Sequence, residues 1–232
     1  MSLKSDDTSP QEKPRRRAIS KRSLATSLNI LDAAERLFAE RGYDGASVRD
    51  IASAAGAQIA SISFHHVGKE TLFERVVERR ASELSQLRLD ALSALKTKDE
   101  PLTLDALLSA FLCPYLEKAG AGDPQWLAYA RLVAMVSADT RWHRISERCF
   151  DPTANVFIAE IARLFPQADR SAIAASFIFS VSAMLSLSTS TWRMQALSAP
   201  HGDQPTMDRL AEQLVRFCEA GMRVSLGMRA DG

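Results

Sequence analysis

The sequence has little cysteine and no pattern that would organise it. Its three cysteines, Cys113, Cys149 and Cys218, are isolated, and no two of them have CxxC spacing. Disulfide frameworks and structural zinc sites use an even or closely spaced set of cysteines, so neither is indicated and we expect no metal. Free thiols suit a reducing compartment, which favours a cytoplasmic location.

Signatures of catalysis and cofactor binding are also missing. The sequence contains no recognisable nucleophile–base pair, metal-ligand set or cofactor loop. Gly120 and Gly122 lie close together, but the Lys-Ser/Thr that completes a phosphate loop does not follow them. We therefore expect no enzyme activity and no cofactor. An enzymatic C-terminal domain remains open as an alternative.

Net charge is nearly absent, at +1 for the 232 residues. The balance differs along the chain, however. Residues 1–80 contain 14 Lys and Arg against 11 Asp and Glu, and the remainder contains 15 against 17, so the two parts carry +3 and −2. A mildly basic part beside a mildly acidic one is compatible with DNA binding at one end of the chain.

Long apolar runs are scarce. The N-terminus is polar and basic and has no apolar segment of the kind found in signal peptides. The longest uncharged run lies between Arg170 and Arg193, and nine of its 22 residues are Ser or Thr. Its length would span a bilayer, but this composition favours a helix buried within the protein or a dimer over a membrane segment.

Helical periodicity dominates the rest of the chain, and no convincing strand alternation occurs, so we predict an all-α fold. Residues 1–23 are polar and rich in Arg and Lys, which predicts a disordered basic arm. A first helix is expected over 24–41 and a long helix over 69–96. We assign residues 24–80 to an N-terminal three-helix domain and 81–232 to a larger helical domain.

The stretch 47–66 predicts two short helices joined by a tight turn. Ser47 is a suitable N-cap, and Asp50 follows at capping-box spacing. Gly56 marks the turn, and Ile59 and Ile62 begin a second apolar stripe among small and hydrogen-bonding residues. Such a helix suits a DNA major groove, because bulky or acidic side chains there would clash with bases or repel phosphates.

A longer stretch carries a family resemblance. Residues 30–77, ILDAAERLFAERGYDGASVRDIASAAGAQIASISFHHVGKETLFERVV, resemble the DNA-binding domain of the TetR family of bacterial transcriptional regulators. The matching elements are Ile-Leu-x-Ala-Ala, Leu-Phe-x-Glu-x-Gly-Tyr, Ile-Ala-x-x-Ala-Gly and Lys-Glu-x-Leu. The family usually has Tyr-His-Phe-Gly-Ser-Lys where this chain has 64–69, FHHVGK, so Phe64 lacks a hydroxyl and His66 replaces a Phe.

The resemblance implies a homodimer whose recognition helices enter successive major grooves of a palindromic operator, about 34–36 Å apart. Gln58 can pair with adenine, and Ala60 can contact a thymine methyl. Ser61 and Ser63 can donate or accept hydrogen bonds. Residues placed to contact the DNA backbone are Ser47, Arg49, Phe64, His65 and Lys69.

The resemblance also implies a C-terminal domain that encloses a small apolar or amphipathic effector and pairs its last two helices across a dimer axis. We expect the paired helices at 169–192 and 205–226. Parts of this domain resemble a fatty-acid-responsive subgroup. The predicted pocket residues are Phe111, Leu112, Tyr115, Trp126, Tyr129, Leu132, Val133, Phe177 and Met184. A dimeric DNA-binding protein without any ligand is the main alternative.

Overall fold

The computed structural model describes residues 21–66, 68–198 and 205–227, and it leaves aside the side chains of residues 21, 22 and 64–66. This part of the chain is helical and contains no strand, so the all-α prediction is confirmed. Nearly all of the predicted basic arm, residues 1–20, lies outside the described residues. The helices are α1 (Lys21–Gly45), α2 (Val48–Ala54), α3 (Ile59–His66), α4 (Lys69–Lys96), α5 (Leu104–Gly120), α6 (Pro124–Ala138), a 3-10 turn (Thr140–Trp142), α7 (His143–Cys149), α8 (Asp151–Leu164), α9 (Arg170–Thr189), α10 (Thr191–Ser198) and α11 (Met207–Ser225).

Helices α1 to α3 and the start of α4 share one hydrophobic core. The chain leaves helical geometry at Gly42, whose φ of 71° and ψ of 171° suit a residue without Cβ, and this is where the first helix was predicted to end. The core also includes residues from α6, the 3-10 turn and α7, namely Leu132, Val136, Trp142 and Ile145. The N-terminal helices are therefore packed onto the rest of the protein.

Aromatic rings make the centre of that junction. The Trp142 ring lies 4.5 Å from the Phe73 ring and 4.8 Å from the Tyr43 ring, centroid to centroid. Arg141 caps the group, because its guanidinium pairs with Asp44 at 3.1 Å and lies 4.9 Å from the Trp142 ring centre. Aromatic pairs at these distances add to the burial energy, so the junction holds the N-terminal helices in a defined orientation.

The second core joins the C-terminal part of α4 with α5, α6, α8, α9 and α11. Helix α5 continues through Pro114. The helix expected over 169–192 begins as predicted, since the Asp169 side chain accepts a hydrogen bond from the Ser171 amide. It ends earlier, at Thr189, and α10 follows. Ser188 and Thr189 donate to the carbonyls of Met184 and Leu185, four residues back, and such bonds compete with helical geometry.

Helix α9 is the one helix in the described residues that is long and apolar enough to cross a membrane. Its most apolar window has a mean hydropathy of 1.7, and 39% of that window is buried inside the protein. Core helices of soluble proteins meet the same criterion. One face of α9 packs against α11 and α6, which is the arrangement of a core helix.

Candidate functional site

Helices α2 and α3 form a compact helix-turn-helix with its caps in place. The Asp50 amide donates to the Ser47 hydroxyl at 3.1 Å, and that hydroxyl donates to the Asp50 carboxylate at 2.7 Å. The Ser47 bond lowers the pKa of Asp50. Gly56 has φ of 61°, and the Ala57 amide donates to the Ala52 carbonyl at 2.9 Å to close the turn. Local sequence therefore determines the angle at which α3 leaves α2.

Helix α3 packs on the N-terminal core through one face and exposes the other face to solvent. Ile62 is fully buried in the N-terminal core, whereas Gln58, Ala60 and Ser63 are exposed and Ser61 is half-buried. Ile59 belongs to the same predicted apolar stripe but lies outside the core, because 48% of that residue is exposed. Ile59 lies three positions, about one helical turn, before Ile62 and does not belong to the core. It adds an exposed apolar side chain to the surface of α3, which otherwise consists of small and hydrogen-bonding residues.

The remaining predicted DNA contacts surround α3. Arg49 is exposed on α2, while the Ser47 hydroxyl is engaged in its cap. Phe64 and His65 belong to α3, but their side chains lie outside the described residues. Lys69 is the first residue of α4, and the N-cap before it, Gly68, offers no side-chain bond to the helix. The first N–H groups of α4 are thus left for water or an anion.

The Lys69 side chain is held above the junction. Its Nζ atom lies 4.4 Å from the centre of the Tyr43 ring and 3.5 Å from the Asp44 carbonyl oxygen. No carboxylate of the described residues lies within 4.0 Å of Nζ. The ammonium charge is therefore held near the start of α4 without an acidic partner to neutralise it.

A cavity of about 180 Å³ lies in the C-terminal core. It is bounded by residues of α4, α5, α6, α9 and the α7–α8 region, most of them apolar. A larger depression of about 460 Å³ lies between α5 and α11, but its lining includes Asp105, Glu117, Asp208 and Glu212 on the surface. The smaller cavity is lined in part by buried aromatic rings, and apolar pockets of this kind are the usual sites for small ligands.

Arg88 of α4 is a buried cation in the wall of this cavity. Its Nε atom donates to the Phe111 carbonyl at 2.8 Å, and its Nη2 atom lies 3.7 Å from the Met184 sulfur. Its guanidinium carbon lies 3.7 Å from the centre of the Phe111 ring. No carboxylate oxygen of the described residues lies within 4.0 Å of its nitrogens. Burial lowers the pKa of Arg88 to about 10, so the side chain remains charged at neutral pH.

Two tyrosine hydroxyls in the same wall are unsatisfied. The hydroxyls of Tyr115 and Tyr129 are buried and make no hydrogen bond to the described residues, although Ser188 lies near Tyr115. Burial raises the pKa of Tyr115 to about 12 and raises that of Tyr129 further, while Arg88 opposes both rises. Both phenols therefore stay protonated and can donate to a ligand.

The structure brings six of the nine predicted pocket residues to this cavity: Phe111, Tyr115, Tyr129, Val133, Phe177 and Met184. Leu112 and Trp126 lie elsewhere in the C-terminal core, and Leu132 lies in the N-terminal core. Arg88 is not among the pocket residues predicted from the sequence. Its position gives a signal, since Leu84, Arg88 and Leu92 recur every four residues and all three are buried. A charged residue within a buried stripe is a candidate for function.

Helix α6 connects the cavity with the N-terminal core. Tyr129 and Val133 line the cavity, whereas Leu132 and Val136 pack with α1 and α4 in the N-terminal core. Helix α4 makes a second connection. It begins at Lys69 and lines the cavity with Leu84 and Arg88, about 22 Å and 28 Å along the helix axis at the usual rise per residue. Two continuous helices therefore contribute both to the cavity wall and to the core that supports the helix-turn-helix.

Helices α9 and α11 expose an apolar face. We call this the α9–α11 face and define it by Phe179, Ser182 and Ser186 of α9 with Phe217 and Val224 of α11. Phe179 is 69% exposed and Phe217 is 71% exposed. A groove of about 290 Å³ lies beside Ser186 and is lined mainly by apolar side chains of α9, α10 and α11. Contiguous exposed apolar surface of this kind marks an interaction site.

Comparison with known families gives two matches. Residues 30–76 match the model described as "Bacterial regulatory proteins, tetR family", and residues 109–221 match "Tetracyclin repressor-like, C-terminal domain". The first match covers the helix-turn-helix and the start of α4. The second contains most of the cavity wall and most of the α9–α11 face.

Curated relatives resemble the N-terminal part. The chain is 42% identical over 59 residues to the HTH-type transcriptional repressor AcnR of Corynebacterium glutamicum, which is 25% of this chain and 31% of that protein. It is 37% identical over 65 residues to the HTH-type transcriptional regulator AcrR of Shigella flexneri, covering 28% of this chain and 30% of that one. The chain thus spans about a third of the length of these relatives.

Solved structures resemble nearly the whole fold. The fatty acid degradation regulator FadR from Bacillus halodurans has a TM-score of 0.62 and 16% identity, with 85% of this chain and 96% of that chain covered. A transcriptional regulator from Rhodococcus sp. Rha1 has a TM-score of 0.56 and 15% identity, with 84% and 96% covered. At these identities the likeness concerns the fold alone.

Proposed function

The chain belongs to the TetR family of bacterial transcriptional regulators, and from that premise we propose that it is a ligand-responsive repressor. In this proposal a cytoplasmic homodimer binds a palindromic operator, and a small effector in the C-terminal domain releases it. Residues 24–80 supply the DNA-binding domain, and 81–232 supply the effector and dimer contacts. One observation carries the proposal. Helix α3 exposes a face to solvent, and a cavity large enough for a small ligand is lined by α4 and α6, which also pack in the N-terminal core that supports α3.

The dimer is proposed to form through the α9–α11 face. Helices α9 and α11 from each subunit would make a four-helix bundle about a two-fold axis. Ser182 and Ser186 would let helix backbones approach closely, and Phe179 and Phe217 would fill the space between them. The face is exposed in the single subunit, and burial in a dimer would remove this apolar area from water.

Effector action is proposed to run through α4 and α6. A ligand that binds one position of these helices better than another shifts the spacing of the two recognition helices. The alternative of a ligand-independent DNA-binding dimer predicts no thermal stabilisation by any small molecule that fits the cavity. The enzymatic alternative predicts that the C-terminal domain turns over candidate esters or thioesters.

Gln58 is proposed to read a base. The Gln58→Ala protein should lose about 1–3 kcal/mol of binding free energy on the operator and relax its preference at one position per half-site. Sequence selection from a randomised pool, followed by fluorescence anisotropy, measures both effects. An Asn29→Ala variant, changed at an exposed amide of α1, serves as the matched control. Identical consensus sequences for wild type and Gln58→Ala would remove Gln58 as a reader.

Lys69 is proposed to contact a phosphate. Operator binding by the wild type should show a log–log salt slope of at least about −4, because each neutralised phosphate contributes roughly 0.9. The Lys69→Ala protein should bind all sequences more weakly and have a flatter slope. Lys69→Arg keeps the charge and should retain most of the slope, which separates the phosphate contact from the packing on Tyr43. Unchanged affinity and slope for Lys69→Ala would contradict the role.

A further inference from the structure

The C-terminal cavity contains a positive charge and hydrogen-bond donors but no negative charge to match them. Arg88 is buried, and only part of its five N–H donors is used by the Phe111 carbonyl and the Met184 sulfur. The hydroxyls of Tyr115 and Tyr129 add two more unpaired groups in the same wall. A buried cation is normally paired, because removing it from water is costly.

The other ionisable group at the cavity does not balance Arg88. Asp151 is the acidic side chain among the described lining residues, and it is exposed to solvent. It does not lie within 4.0 Å of Arg88. Water and salt screen an exposed carboxylate from a buried site. The positive charge of Arg88 is therefore left to be paired by a ligand in the cavity.

We infer that the cavity binds a small organic monocarboxylate, whose head group pairs with Arg88 and accepts a hydrogen bond from Tyr129 or Tyr115. A planar carboxylate suits the planar guanidinium, which can donate to both oxygens at once. The apolar body of the acid would lie against Phe111, Phe177 and Val133. This inference rests on the proposed function and specifies the chemical class of the effector.

The size of the cavity limits the body of that acid. A cavity of about 150 Å³ lined by apolar side chains is known to hold benzene, and the volume here is about 180 Å³. The ligand is therefore about the size of one aromatic ring or a short alkyl chain with its carboxylate. A longer alkyl chain would have to extend out of the cavity into solvent beside Ile178, a lining residue of α9 that is 57% exposed.

Binding at Arg88 would act directly on the helix that carries the helix-turn-helix. Arg88 belongs to α4, and its present contacts are with α5 and α9. A carboxylate would compete for the same guanidinium donors and would attract α4 toward the cavity. The effector of the proposed function is then an amphipathic molecule that needs its anionic end in order to bind.

The test compares each acid with its neutral amide on the full-length protein. Benzoate and hexanoate are paired with benzamide and hexanamide at pH 7.5, where both acids are ionised. Calorimetry gives the affinities, and thermal melts give the stabilisation. Wild type should bind each acid at least about tenfold more tightly than its amide, which is the usual value of a hydrogen bond to a charged group.

Arg88→Met is the decisive variant, because it keeps the length of the side chain and removes the charge. Since Arg88 has no carboxylate partner, its loss leaves no unpaired anion, and the variant should fold. Its preference for acid over amide should disappear while amide binding persists. Arg131→Met, at an exposed arginine of α6, is the matched control and should behave as wild type. The double variant Tyr115→Phe with Tyr129→Phe should weaken acid binding more than amide binding, and it is the deciding measurement if Arg88→Met does not fold.

Several results would overturn the inference. These are equal or tighter binding of the amides by wild type, no binding of either acid, or an unchanged acid preference in Arg88→Met. Should that variant not fold, an unchanged acid preference in the double Tyr115→Phe, Tyr129→Phe variant would overturn the inference instead. Operator release measured in parallel separates this inference from the proposed function. Acids that bind without releasing DNA would support the ligand class and contradict ligand-responsive regulation. Amides that release DNA where the acids do not would support regulation and contradict the anionic ligand.

Discussion

Replacing Ser186 with arginine should produce a folded monomer that no longer binds a palindromic operator tightly. Ser186 is exposed in the single subunit, so an arginine there can extend into water and the helical content should not change. In the proposed dimer the same position lies at the centre of a four-helix bundle, where an unpaired charge costs several kcal/mol. The dimer dissociation constant should therefore rise at least about a hundredfold.

Light scattering and circular dichroism together measure this outcome. Ser93→Arg, at an exposed serine of α4, is the matched control and should remain dimeric. Operator affinity should fall with the dimer, because one subunit contacts only one half-site. A Ser186→Arg protein that is folded and fully dimeric would show that the α9–α11 face is not the subunit contact.

Removing the Glu35 side chain should cause a large loss of stability in the N-terminal part. Glu35 of α1 is completely buried and accepts hydrogen bonds from Arg79 at 2.7 Å and Arg80 at 3.2 Å, both on α4. Glu35→Ala leaves two arginines without this partner. Burial raises the pKa of Glu35 although both guanidinium groups oppose it, so the charged form carries a cost and the loss should lie at the lower end of the usual range.

We expect a loss of about 3 kcal/mol in the free energy of unfolding, measured by urea denaturation. For a chain of this length that lowers Tm by roughly 6–12 °C. Arg79 retains Asp32 at 2.7 Å, which limits the effect. Glu40→Ala, an exposed carboxylate on the same helix, should change stability by less than about 0.5 kcal/mol. Equal midpoints for the two variants would show that the buried cluster does not stabilise α1 against α4.

Local chemistry in the sequence determined the helix-turn-helix. The Ser47–Asp50 cap and the turn at Gly56 each depend on residues only a few positions apart, so spacing was sufficient to predict them. The N-cap at Asp169 is predictable for the same reason. Family-specific elements in 30–77 added the function that periodicity alone does not specify.

Tertiary structure decided which side of each helix is covered. Ile59 and Ile62 are equivalent in a periodic pattern, yet only Ile62 meets the N-terminal core. On α6, Leu132 and Val133 are adjacent apolar residues, and one packs toward α1 while the other lines the cavity. Arg88 reads in sequence as an ordinary charge on a long helix. Only the packing of α5 and α9 around it makes the charge buried and leaves it without a carboxylate, because burial depends on residues far apart in the chain.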